Sequence, residues 1–88
     1  MRKSMLKFTA RMENMLCDYD EEKGQTGWIT DVGNLQYLME KFINKVSCIE
    51  EAYKDCDRTK IQNQCVHCAN YLMMIADYIQ VRYEHEVK

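Results

Sequence analysis

From Met5 onward the chain steps between apolar and polar residues in threes and fours. Met5, Phe8, Met12, Met15 and Tyr19 recur at 3,4,3,4 spacing, which draws one apolar stripe along a helix over about residues 3–22. A second stripe, Leu35, Leu38, Phe42, Val46 (or Ile49) and Tyr53, predicts a helix over about 31–54, with Thr30 or Asp31 as its N-cap. A third helix, over about 57–85, begins near Asp57, whose carboxylate is placed to cap the first turn. Its stripe runs through Ile61, Cys65, Cys68, Leu72, Ile75 and Ile79. Alternating β-branched runs and hairpin turns are missing from the sequence, so the pattern predicts an all-α chain.

The punctuation agrees. There is no proline, and Gly24, Gly27 and Gly33 all fall within ten residues, marking one irregular hinge over about 23–30 between helix formers. Residues 1–88 are expected to form a single domain. The third helix carries a second apolar row, Val66, Ala69, Met73, Ala76 and Tyr83. Such a row either broadens the core face of a three-helix bundle or meets another copy of the chain. The expectation is a homo-oligomer, a dimer or dimer of dimers, in which helices 2 and 3 make a four-helix core.

Composition narrows the classes. Apolar residues make up 47% of the 88, too many for disorder. The net charge of −2 comes from interspersed acids and bases, so no nucleic-acid face is expected. The basic start "MRKSMLKFTARM" leads into no apolar run of signal-peptide length. With no stretch suited to a membrane span either, a cytoplasmic protein is expected. Cysteines 17, 48, 56, 65 and 68 are odd in number, which favours free thiols over a disulfide framework.

With the helices placed, four collinear segments come into register: "FTARMENML" (8–16), "EKGQTGW" (22–28), "NKVSCIEEA" (44–52) and "QCVHCANYLMMIAD" (64–77). Together they resemble the MazG-like all-α nucleoside triphosphate pyrophosphohydrolases, in the short form found in phages and archaea. The likeness covers about residues 8–80, nearly the whole chain. The resemblance implies two carboxylate pairs, ExxE and ExxD, facing each other from helices 2 and 3. Residues i and i+3 share a helix face, and two such pairs form the oxygen cage that Mg²⁺ requires.

Carried over residue by residue, those positions fall on Lys45, Cys48, Gln64 and His67. All four carboxylates are replaced, so neither catalysis nor a metal or other cofactor is expected. Glu50 and Glu51 point about 100° or more away from Cys48 round the helix and do not substitute. Lys23, Trp28, Asn70, Tyr71 and Asp77 match family positions around the nucleotide. Lys45, with His67 donating, is also placed to hold a phosphate. Plain alternatives stand beside these: Trp28 as a plug at the bundle end, Tyr71 as packing and Lys45 as a surface cation. Cys65, His67 and Cys68 do not aim at one ion, which leaves Cys48 with His67 as the one pair suited to zinc.

The expected function is therefore a non-catalytic binding protein on a degenerate MazG-like frame. A phage or mobile-element inhibitor of a host defence protein, acting in the host cytoplasm, fits that description by fold-level analogy. Its target contact is placed at the acidic run Asp18, Asp20, Glu21 and Glu22, whose plain alternative is a solvated helix end. Two other functions remain open: a metal-free sponge for linear or cyclic nucleotides, and a residual pyrophosphohydrolase.

Overall fold

The computed structural model describes the backbone of residues 1–23 and 35–87, and the side chains of 1–18 and 35–82. Three helices account for nearly all of it: α1 (Lys3–Lys23), α2 (Leu35–Lys54) and α3 (Arg58–Val87). The all-α reading holds, and the ends of α1 and α3 lie close to those the sequence predicts. Of the hinge expected over 23–30, Lys23 is instead the last residue of α1; residues 24–30, the Thr30 or Asp31 cap, and the side chains of Lys23, Tyr19, Asp20, Glu21, Glu22 and Tyr83 lie outside the described residues, as does Trp28.

The α2–α3 turn follows from local chemistry. Asp57 N donates to Ala52 O at 3.0 Å and Cys56 N donates to Tyr53 O at 3.1 Å, the paired bonds of a Schellman motif. Cys56 occupies the left-handed position at φ 57°, where glycine is the usual residue. Asp57 Oδ1 then accepts from Lys60 N at 3.0 Å, the N-cap that the sequence predicts. One aspartate thus closes α2 and opens α3, folding the two helices into an antiparallel hairpin.

α3 is the central helix, with α2 on one side and α1 on another. Its 30 residues span about 45 Å at 1.5 Å each, and the molecule is 48 Å long. The core is small. Leu38 and Ala52 on α2 are fully buried, with Val66, Cys68, Met74 and Tyr78 on α3 nearly so. No residue of 1–18 is buried. α1 is tied to α3 by Asn70 Nδ2, which donates to Met12 O at 3.3 Å.

Packing differs from the predicted stripes on α3. Leu72 and Ile79 are about half exposed; the buried ridge is instead Val66, Asn70, Met74 and Tyr78. Steps of four residues drift about 40° each round a helix. The ridge therefore winds from Val66, beside α1, to Tyr78, which packs with Leu38 of α2. A helix gripped on two sides buries such a winding ridge, not a straight 3,4 stripe. On α2, Ile49 turns inward and Val46 outward, and Tyr53 is exposed. Ala52, which the stripe omits, is fully buried.

Candidate functional site

The register that packs Leu38 against Met74 has a direct consequence for the four positions at which the resemblance implies metal ligands. Counting along two antiparallel helices, it sets Lys45 level with His67 and Cys48 level with Gln64. The electrostatics agree. Burial first, and the Lys45 ammonium second, push the His67 imidazole below its ordinary pKa, so the ring is neutral at pH 7. Cys48 and Lys45 both act on Cys68, whose thiol is raised mainly by burial and then by Cys65. Gln64 Oε1 is buried in the same layer with no hydrogen-bond partner.

This layer pairs a cation and a neutral imidazole with an amide and a thiol. It offers a divalent metal no hard anionic oxygen, and the ammonium opposes one. Among the described residues, no group of three or more His, Cys, Asp or Glu stands close enough to share a metal ion. That includes Cys48, Cys65, His67 and Cys68. All five thiols are free.

The candidate nucleotide contacts are divided. His67, Asn70 and Tyr71 come together on the wall of one cavity between α1 and α3. Met15, Leu16 and Met74 complete the wall, and the volume is about 130 Å³. Asn70 is 4% exposed, and its Oδ1 has no hydrogen-bond partner. Burial and then Tyr37 raise the Tyr71 phenol above its ordinary pKa. Lys45 is half-buried on the α2 side and does not line this cavity. Asp77 stands almost two turns beyond Asn70 on α3 and is also outside it. Met15, Leu16 and Met74 were legible only as apolar filler; nothing in their spacing announces a cavity.

A second, open depression of about 470 Å³ runs between α1 and the start of α3, past Arg11, Asn14, Asp18, Gln62 and Asn63. Asp18, from the acidic run, is on its rim. The opposite side of the α2–α3 hairpin is apolar: Met39, Ile43 and Val46 on α2, and Leu72 and Ile79 on α3, are between 46% and 60% exposed. No helix among the described residues is long and apolar enough to cross a membrane.

Comparison with protein-family models, characterised proteins and solved structures finds no match. The MazG-like resemblance accordingly rests on the four collinear segments of the sequence.

Proposed function

We propose that this chain is a non-catalytic, protein-binding derivative of a MazG-like helical frame, acting as a homodimer. The observation that carries the reading is the layer at the α2–α3 interface. Lys45 stands level with His67 and Cys48 with Gln64, and none of the four is a carboxylate. A pyrophosphohydrolase of this type needs acids there to hold Mg²⁺ on the triphosphate.

Size argues against a nucleotide in the cavity at His67, Asn70 and Tyr71. Sites for nucleotide-sized ligands enclose about 300 Å³ or more, whereas the cavity at His67, Asn70 and Tyr71 encloses about 130 Å³. The apolar side of the hairpin supports self-association. Met39, Ile43 and Val46 follow one another at 4,3 spacing, as do Leu72, Ala76 and Ile79. Because α2 and α3 are antiparallel, rows displaced in the same rotational sense turn to one side of the hairpin, away from α1. Two copies meeting there bury α2 and α3 in a four-helix core. The remaining surface, including the depression rimmed by Asp18, is then free for a second protein. A phage or mobile-element product that blocks a host protein in the cytoplasm is the role such a metal-free frame suits.

The test is calorimetric titration of the purified chain with linear and cyclic nucleotides, first with Mg²⁺ and then with EDTA, alongside a pyrophosphate-release assay. No heat and no release are expected. Mg²⁺-dependent binding or turnover would overturn the reading and return the chain to the enzymes. Binding that survives EDTA would replace it with a nucleotide sponge.

A further inference from the structure

α1 rests on α3 without burying any of its described side chains, and its charges are sorted by sign. Arg2, Lys3, Lys7 and Arg11 come first, with no acid among them; Glu13, Asp18, Asp20, Glu21 and Glu22 follow, with Lys23 alone behind them. That order opposes the helix itself. A helix dipole favours acids in the first turn and cations in the last, yet the first turn holds no acid and Asp20, Glu21 and Glu22 crowd the last. Lys3, Lys7 and Arg11 also follow at four-residue steps, which makes like charges neighbours on the helix surface. Among the described residues, Lys7, Arg11, Glu13 and Asp18 enter no ion pair.

What is unfavourable within one such helix is complementary between two laid antiparallel. Arg11, Asn14, Met15 and Asp18 form the α1 side of the open depression beside the start of α3. A two-fold axis passing between Asn14 and Met15 sets Arg11 of each copy opposite Asp18 of the other, because the two positions are equally far from it. The same axis brings Lys7 level with Glu22, two positions of opposite charge that the choice of axis did not use. In a two-fold contact each pairing is made twice, and the two helix dipoles run in opposite directions. We propose that α1 is a second self-association surface, on which α1 of another copy lies antiparallel in this depression with Arg11 and Asp18 paired reciprocally.

The contact goes beyond the hairpin dimer and does not rest on it. The hairpin face is apolar and turns away from α1, whereas this one is polar and open to screening by salt. The protein that takes up the free depression is then a further copy of the chain, and the two contacts together give a dimer of dimers. Sedimentation of the full chain at about 10 mM and about 1 M salt separates them, since charges act over roughly 30 Å in the first and 3 Å in the second.

The sedimenting mass is expected to double at low salt relative to high salt. Arg11→Asp alone and Asp18→Arg alone each set like charges against one another, and each should abolish the doubling. Mixed in equal amounts the two variants should restore it, because one copy then presents two acids and the other two cations. Arg11 and Asp18 are exposed, so helicity by circular dichroism should be unchanged in both variants. Three results would each overturn the proposal: no doubling in the parent, doubling that survives either single swap, or no restoration in the mixture. Where the hairpin face does not assemble, the same doubling runs from monomer to dimer, so the two readings fail separately.

Discussion

Cys56 is held in a backbone conformation that its residue type does not favour, and His67 is held to a pKa below the usual one for its type. The turn places Cys56 at φ 57°, where a side chain with a Cβ costs on the order of 1 kcal/mol. Its thiol is exposed. Cys56→Gly should therefore stabilise the chain by about 0.5–1 kcal/mol after the added freedom of the unfolded glycine is counted. A rise in the urea midpoint at unchanged slope would register this.

His67 works in the opposite direction. Its pKa in the folded chain lies below the ordinary 6.5, so as the pH falls the unfolded chain takes up the proton first. The contribution of neutral His67 is intact above about pH 7 and is lost as the pH drops from 6.5 toward the lowered value, where the loss levels off. His67→Gln should flatten the fall in urea midpoint between pH 7.5 and 5.5. Lys45→Met should shrink it, because the ammonium is the second cause of the shift. An unchanged profile in both variants would mean that other groups set the acid sensitivity.

At the scale of helices, the sequence conveyed periodicity well and packing direction poorly. Repeats of three and four announce a helix whatever it touches, which is why α1 and α3 end close to where the pattern ends. Asp57 was legible because a cap is a local bond. The buried ridge of α3 was not, since its course depends on where α1 and α2 press, and no residue of α3 records that. The layer of Lys45, Cys48, Gln64 and His67 was half legible. The four could be named from the motif, but their pairing needed the register of the hairpin.

That register makes the frame testable. Lys45→Glu, Cys48→Glu, Gln64→Glu and His67→Asp together rebuild two facing carboxylate pairs. The combined variant should bind Mn²⁺ or Mg²⁺, read by calorimetry, and should gain thermal stability on adding the metal. Any three of the four changes should bind distinctly more weakly. A folded quadruple variant indifferent to both ions would break the correspondence between this hairpin and a pyrophosphohydrolase cage.

For the molecule as a whole, the question is what covers the apolar surface that the described residues leave open. A compact chain of this length has a radius of gyration of about 12 Å, against 14.3 Å here. Large apolar side chains such as Ile43 at 60% and Leu72 at 52% remain exposed. Burying the open half of each is worth about 1 kcal/mol, a gain that a second copy would supply in the proposed dimer. The melting temperature should therefore rise with protein concentration. Ile43→Glu with Leu72→Glu should shift the sedimenting species from dimer to monomer and remove that dependence. A monomeric parent at micromolar concentration would leave the apolar side to a different partner.

The three-residue turn also orders events in time. Asp55, Cys56 and Asp57 are all that separates α2 from α3, so these two helices meet at little loop-closure cost. Moreover, α1 docks through a bond between residues 58 positions apart. The hairpin should thus be the nucleus and α1 the last piece to arrive. In stopped-flow kinetics, Asp57→Ala should slow folding, while Phe8→Ala should leave the folding rate nearly alone and speed unfolding. Slowed folding in Phe8→Ala would reverse the order. During synthesis α1 would lack the surface it docks on until the 30 residues of α3 were made.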